Sequence, residues 1–221
     1  MVKNMFRDVF QKRKNNEHIW LTLFSLIIFC ESIVRNGYSV IGIMFYKLQY
    51  DMSAESFGNL ITVWMFSMFI GQMFIVPFFS RTLQMRDTSI LMIGIIFPAF
   101  SLIGEGIFSQ VWVMFLLAAV FYPLMYNIAT TSKSAISKFL APTEVGKIFG
   151  MLGIMEALLA TLSKMSFGMM YQATVGTCPA LFLYVSSSLL FLALIFAIIV
   201  HVKMKKADKN NYKDNCDTDT K

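Results

Sequence analysis

Six long apolar runs constrain this chain of 221 residues more than any other feature. They are Ile19–Tyr46, Gly58–Phe79, Thr88–Phe108, Val111–Thr131, Gly146–Tyr171 and Ala180–Val202. A transmembrane helix needs about 20 mostly apolar residues. The strands of a membrane barrel would instead alternate polar and apolar residues over about 10 positions. Because these runs are long and continuous, the sequence predicts an all-α membrane protein with six transmembrane helices.

The composition agrees with this class. With 57% hydrophobic and 14% charged residues, the chain is too apolar to cover a soluble domain with a polar surface. We predict three regions along the chain. They are a cytoplasmic basic leader over residues 1–18, a transmembrane bundle over residues 19–202, and a polar cytoplasmic tail over residues 203–221 that we expect to be disordered.

Basic residues are concentrated in the four segments that six crossings place on one side of the membrane. Fifteen Lys and Arg residues lie there, whereas the segments on the other side carry only Lys47. Since positively charged segments stay in the cytoplasm, both termini of this multi-pass protein are predicted to be cytoplasmic. The net charge of +6 then reflects topology. Because it is divided among separate loops, it does not indicate a nucleic-acid site.

Ionisable side chains inside the apolar runs are the candidate functional residues, since charges in hydrocarbon are costly and mark functional sites. Glu31, Arg35 and Asn36 lie near the middle of the first run. Glu31 and Arg35 are four residues apart and therefore share a helix face. Two interpretations stay open. The pair either neutralises itself inside the bundle, or lines a cavity where Arg35 and Asn36 hold a substrate and Glu31 carries a proton.

The stretch from Asn127 to Glu156 joins the polar end of the fourth run to the fifth run through a basic turn. Asn127 and Lys133 are candidate substrate-binding groups, although Lys133 can also extend its amine to the lipid headgroups. Glu156 lies near the centre of the fifth run. It is a candidate proton-coupling residue, or else the partner of a cation on a neighbouring helix.

Small residues mark the start of the fifth run. Gly146 and Gly150 form a G-x-x-x-G pattern, and Gly153 lies close behind them. Such residues let two helix backbones approach closely. The sequence therefore predicts that Gly146, Gly150 and Gly153 serve helix packing.

The charges are distributed unevenly over the six runs. The first, fourth and fifth runs hold every central charge, and the third and sixth hold none. Glu105 falls at the outer end of the third run, where we expect it to contact water. Transporters built from repeated three-helix units place their site at the repeat interface. The pattern is typical of one half, with 3 + 3 helices, of such a transporter.

Several short motifs resemble the carboxyl-terminal half of the proton-coupled folate transporter family, solute carrier family 46, within the major facilitator superfamily. Before the first run the chain reads VFQKRKNN. The resemblance covers roughly residues 6–200. The remaining residues that carry it are Lys133, Ser137, Lys138, Thr143, Glu144, Gly146, Tyr171, Ala173, Thr174, Pro179 and Phe182.

This resemblance implies a twelve-helix transporter with alternating access and proton-driven uptake of folates or other small organic anions. It places Lys133 where the folate transporter has a cavity arginine, and Lys keeps the charge without the planar fork of Arg. The expected partners are the organic anion, protons, the lipid bilayer, and either a missing amino-terminal half or a second copy of the chain. The expected location is the plasma membrane or the lysosomal membrane.

Two functions from different classes follow. The first is secondary active, proton-coupled transport of a small, folate-like organic anion, driven by the proton gradient and without a cofactor. The second is a non-transporting, truncated membrane protein that associates with or regulates a full-length relative. An enzyme is not favoured, because the runs contain no constellation of nucleophile and base, and no metal site is indicated.

Overall fold

The computed structural model describes residues 17–75, 77–108, 110, 113, 117, 124, 125 and 127–219. Two π-helical turns, Gly71–Ile75 and Phe78–Thr82, follow the second helix. No strand occurs within the described ranges, in agreement with the predicted all-α class. The α-helices are α1 (Glu17–Tyr50), α2 (Ala54–Ile70), α3 (Asp87–Ile107), α4 (Asn127–Lys138), α5 (Pro142–Thr174) and α6 (Leu181–Asp219).

Five helices in the described part of the chain are long and apolar enough to cross a membrane. They are α1, α2 with its π-helical continuation, α3, α5 and the first part of α6. The fourth predicted run, Val111–Thr131, lies largely outside the described residues, and its last residues begin α4. The membrane crossing predicted for this fourth run, and with it the total of six crossings, therefore stays a prediction.

Local sequence signals set the beginning of two helices. The Ser53 side chain caps α2 by accepting a hydrogen bond from the Ser56 amide at 3.2 Å. An N-terminal cap satisfies an amide that the helix itself leaves unpaired. Pro142 begins α5, at a position where the missing N–H of proline removes no helical hydrogen bond.

Two helices continue beyond their predicted ends. α1 continues past Tyr46 to Tyr50, whose hydroxyl donates to the Phe108 carbonyl oxygen at 2.9 Å. This contact fixes the last turn of α1 against the end of α3. α6 continues to Asp219, through the tail that we predicted to be disordered. That tail contains neither Gly nor Pro to end a helix. The predicted leader lies outside the described residues up to residue 16.

α1 is the central helix of the bundle. It packs against α4, α5 and α6, while α3 packs against α4 and α6. In the most apolar stretch of α1, 56% of the residues are buried, compared with 19% for α2 and 17% for α5. The Ser187 hydroxyl donates to the Ala99 carbonyl oxygen at 2.9 Å, which joins α6 to α3. Such hydrogen bonds contribute to helix association where the hydrophobic effect does not act.

α2 and α5 leave long apolar faces that the described chain does not cover. Lipid or another protein surface covers faces of this kind in a bilayer. The bundle is therefore closed around α1 and open along α2 and α5. The exposed side chains are Met65, Phe66, Phe69, Met73 and Phe74 on α2 and its continuation, and Ile154, Leu158, Leu162, Met165 and Met169 on α5.

Gly37 provides a test of the packing between α1 and α5. A Cβ atom at Gly37 would lie 2.6 Å from Cγ and Cδ1 of Phe167, whose ring is buried. We predict that Gly37→Ala lowers the free energy of unfolding by about 1–3 kcal/mol through overpacking. Denaturant unfolding of the purified chain in detergent micelles measures this change.

Gly58→Ala on α2 is the matched control. A Cβ atom at Gly58 meets no described atom within 4 Å, so this variant should keep or slightly raise the stability, since Ala favours helix over Gly. Equal losses in the two variants would contradict the close contact at Gly37.

Candidate functional site

Glu31 and Arg35 form an ion pair within α1, as their spacing of four residues allows, and the two interpretations of what the pair does both stay predictions. Arg35 Nε donates to Glu31 Oε1 at 2.8 Å. The Glu31 side chain is fully buried, whereas 32% of the Arg35 side chain is exposed. Glu31 Oε2 has no hydrogen-bond partner among the residues that the structure describes. Glu31 therefore keeps one oxygen to which a proton could bind.

Lys133 and Glu156 form a second ion pair, between α4 and α5. Lys133 Nζ donates to Glu156 Oε2 at 2.9 Å. The Lys133 side chain is 38% exposed and the Glu156 side chain 19% exposed, so the pair is only partly enclosed by the described residues. The Lys133 amine thus points to a carboxylate. Glu156 has a cation on a neighbouring helix as its partner, which is one of the two interpretations of this residue. Its role as a proton carrier stays a prediction.

The two ion pairs belong to one electrostatic cluster. Glu31 interacts with Lys133 and Glu156 as well as with Arg35. The packing of α1 on α4 and α5 brings these groups together. Two cations and two carboxylates balance in charge, and each buried charge is costly without its partner. An anion that binds a cation of this cluster must therefore compete with a carboxylate.

An open cleft between α1 and α2 begins at Arg35. Its volume is about 170 Å³, and Tyr38, Phe57 and Trp64 contribute aromatic walls. Typical ligand sites occupy roughly 300–1,000 Å³, so an organic ligand would extend beyond this cleft. A guanidinium group binds anionic groups and aromatic walls bind apolar rings, so this lining suits an anion with an apolar ring body. These rings were not among the predicted site residues, although Phe57 and Trp64 are seven residues apart and hence share a helix face.

The two predicted asparagines occupy different environments. Asn36 Nδ2 donates to the Ser32 carbonyl oxygen at 2.8 Å, so part of its amide is used within α1. Asn127 lies at the start of α4 and is 2% exposed. The structure brings Arg35 and Lys133 into one cluster, and Asn36 follows Arg35 directly. That these four residues bind a substrate stays a prediction.

The three predicted packing glycines lie on the exposed surface of α5. A Cβ atom at Gly146, Gly150 or Gly153 would meet no atom of the described residues within 4 Å. No described helix uses the space that these glycines leave. Their predicted packing role therefore concerns a surface beyond the described residues, and it stays a prediction.

Glu105 contradicts the expectation that it contacts water, because only 1% of it is exposed. Its Oε2 lies at hydrogen-bond distance from two hydroxyl groups, 2.9 Å from that of Tyr38 and 3.2 Å from that of Tyr46. The position near the end of a hydrophobic run suggested exposure. Instead α1 covers this carboxyl group, because Tyr38 and Tyr46, two turns apart on that helix, both face it.

Curated proteins with similar sequences include "Solute carrier family 46 member 2" of Canis lupus familiaris, 31% identical over 142 residues that cover 62% of this chain and 28% of that protein. The human "Lysosomal proton-coupled steroid conjugate and bile acid symporter SLC46A3" is 26% identical over 203 residues, 90% of this chain and 43% of that protein. A Drosophila melanogaster protein named "Probable peptidoglycan muropeptide transporter SLC46" is 21% identical over 200 residues, 88% of this chain and 38% of that protein. The chain spans less than half the length of these relatives. No protein-family model matches it.

The ion pair between α4 and α5 can be tested by removing its cation. We predict that Lys133→Met lowers the free energy of unfolding by about 1–3 kcal/mol, because Glu156 then lacks its charge-assisted hydrogen bond. The double variant Lys133→Met/Glu156→Leu should recover most of this loss, since apolar residues can replace an ion pair at little cost. Thermal unfolding in detergent micelles provides the comparison.

Lys164→Met is the control for this experiment. Lys164 is an exposed lysine of α5 and forms no ion pair with any described residue. Its replacement should change stability little. If Lys133→Met and Lys164→Met had the same effect, the pair with Glu156 would not stabilise the bundle.

Proposed function

We propose that this chain, which belongs to solute carrier family 46, forms the carboxyl-terminal half of a secondary transporter that moves a small organic anion together with protons. The main support is the cluster of Glu31, Arg35, Lys133 and Glu156, next to an aromatic cleft. Similarity to proteins named as transporters supports the general class of activity. The sequence resemblance supports a major facilitator fold.

The ion pairs suggest how anion and proton binding would be coupled. In the resting cluster each cation is neutralised by a carboxylate. A proton on Glu156 would remove the charge that holds Lys133, and the ammonium group could then bind a substrate anion. A protonated carboxyl group donates one hydrogen bond and no longer attracts a cation strongly. Protonation of Glu31 would free Arg35 in the same way. At either pair, the binding of one anion would require the binding of one proton.

The cleft suggests the chemical class of the anion. Arg35 presents a charged group that suits a carboxylate or sulfate, and Tyr38, Phe57 and Trp64 offer apolar walls. We therefore favour an organic anion with a ring body. Folate-like molecules have this chemistry, and so do the steroid conjugates and bile acids in the name of the human relative.

A second six-helix unit would complete the transporter. The open faces of α2 and α5 offer the surface for it, and the glycines at 146, 150 and 153 would allow close approach on α5. The unit is either an amino-terminal half or a second copy of this chain. Halves of this superfamily are related by an axis along the membrane normal, so two copies with the same orientation could assemble. We place both termini in the cytoplasm, and the protein in the plasma membrane or the lysosomal membrane.

An uptake assay in proteoliposomes tests this proposal. The chain is reconstituted alone and together with the amino-terminal half of the human relative as a separate polypeptide. Labelled folate and a labelled steroid sulfate are the probes, with and without an imposed proton gradient. Gradient-dependent uptake in either sample supports transport. If neither sample shows uptake and the chain co-purifies with a full-length relative, the result would favour the alternative, non-transporting function. The open faces of α2 and α5 also allow such an association.

Arg35→Lys tests the role of the cation at the cleft. Lys keeps the charge but loses the planar fork that binds carboxylate or sulfate with two hydrogen bonds. We predict that KM for the transported anion rises about tenfold, the equivalent of one charge-assisted hydrogen bond of roughly 1.5 kcal/mol. Lys47→Arg, at an exposed position in the last turn of α1, should leave KM unchanged. The same KM in Arg35→Lys and the unmodified chain would remove Arg35 from the binding site.

Glu156→Gln tests proton coupling separately from binding. Glutamine resembles the protonated carboxyl group in size and hydrogen bonding, but it cannot exchange a proton. We predict that the variant still binds the anion, while the proton gradient no longer increases its uptake. Uptake is compared with and without the gradient. A full gradient response in Glu156→Gln would exclude Glu156 as the coupling residue.

A further inference from the structure

A second buried carboxyl group lies away from the ion pairs, at the end of the bundle where α1 and α3 end and α6 begins. Glu105 stands in the last turns of α3 and is 1% exposed. It faces α1, where Tyr38, Tyr46 and Tyr50 lie along its last four turns. The Tyr50 hydroxyl lies 3.2 Å from the Glu105 carbonyl oxygen. Three tyrosines therefore surround one acidic residue in a site without direct contact with water.

Three oxygen atoms form a closed triangle in this site. The Tyr38 and Tyr46 hydroxyl oxygens are 2.8 Å apart. Glu105 Oε2 lies 2.9 Å from the Tyr38 hydroxyl and 3.2 Å from the Tyr46 hydroxyl. All three separations are in or near the range of O–H···O hydrogen bonds. Two sides have the length of a hydrogen bond and the third is slightly longer, and two oxygen atoms at any of these distances attract each other only with a hydrogen atom between them.

The count of hydrogen atoms depends on the state of Glu105. Each tyrosine hydroxyl supplies one hydrogen, and an ionised carboxylate supplies none. Two hydrogens can serve only two sides of the triangle, and the third side would then bring lone pairs together. A protonated carboxyl group supplies the third hydrogen. Glu105 can then donate to Tyr46, Tyr46 to Tyr38, and Tyr38 back to Glu105 Oε2, so that every side becomes a hydrogen bond.

The surroundings contain no countercharge for an ionised Glu105. No Lys, Arg or His of the described residues forms an ion pair with it. On α1 the nearby charged groups are Arg35, which is paired with Glu31, and Lys47, which is exposed. A buried charge without a partner is costly. The protonated state avoids this cost as well.

The neighbouring helices add only neutral groups. On α3 the Ser101 hydroxyl is buried and forms no hydrogen bond with a described residue. On α6 the Tyr184 ring lies against Gly106, and Phe182 packs on Tyr38. On α2 Trp64 packs on both Tyr38 and Tyr46. Tyr50, Tyr184 and the two triangle tyrosines are the only other titratable side chains that these contacts of described residues bring against the site.

We propose that Glu105, Tyr38 and Tyr46 form a proton-binding site that is separate from the two ion pairs and shares Tyr38 with the aromatic cleft. The bound proton completes the ring of hydrogen bonds and holds the end of α3 against α1. Tyr38 is also a wall of the cleft that begins at Arg35. A ligand in the cleft that rotates the Tyr38 side chain would remove one hydrogen bond from the Glu105 carboxyl group and favour release of its proton.

Infrared difference spectroscopy of the purified full chain in lipid nanodiscs tests this site, and it needs no substrate. We expect the spectrum at neutral pH to contain the C=O stretching band of a protonated carboxyl group that disappears in Glu105→Gln. The band should remain in Glu55→Gln, which changes an exposed glutamate at the same end of the bundle. If Glu105→Gln instead removes only the bands of an ionised carboxylate, the proposal is overturned.

Tyr46→Phe provides a second, independent result if Glu105→Gln does not fold. The variant keeps Glu105 and Tyr38 but opens the triangle, so the C=O band of Glu105 should shift to higher frequency. An unchanged band in Tyr46→Phe would overturn the closed ring. Because neither readout depends on uptake, a chain without transport activity could still hold this proton, and a transporting chain could lack it.

Discussion

A charge inside hydrocarbon needs a partner of opposite sign, and this requirement shapes the centre of the bundle. Glu31 is fully buried on the central helix, and its partner Arg35 comes from the same helix one turn later. Glu156 instead takes its partner from α4, across the turn that joins α4 to α5. The first pair needs only a formed helix, whereas the second needs two helices in the correct register. The Lys133–Glu156 contact therefore forms only when α4 and α5 pack correctly, and it leaves no buried charge unpaired there.

The sequence predicts those features that depend on one helix at a time. The apolar runs give the spans because a bilayer demands a fixed length, and the spacing of four residues gives the pair of Glu31 with Arg35. It leaves the partner of Glu156 open, since that choice depends on how α4 and α5 pack. Glu105 was misjudged for the same reason. Its position along α3 suggested water, but Tyr38 and Tyr46 of α1 lie against its carboxyl group, and this contact depends on how the two helices are placed in the bundle.

The bundle is asymmetric in how its helices are buried. α1 is enclosed by its neighbours, whereas α2 and α5 remain open along most of their length. Arg35 and Lys133 both belong to this open side, because the Arg35 cleft borders α2 and the Lys133 pair borders α5. A second unit that covered α2 and α5 would therefore close over the charged cluster as well. Assembly and site formation would then be one event, and in that case the cleft of one unit alone is expected to be smaller than a ligand pocket.

The bundle buries its carboxyl groups in two chemically different ways, and the difference limits what each can do. Glu31 and Glu156 are held by cations, so a change in their charge frees a cation that an anion can bind. Glu105 is held by hydroxyl groups, so a change in its charge alters hydrogen bonds and releases no cation. Only the first arrangement can couple the binding of a proton to the binding of an anion at the same place. The second can sense a proton and, through Tyr38, transmit its presence to the cleft where the anion would lie.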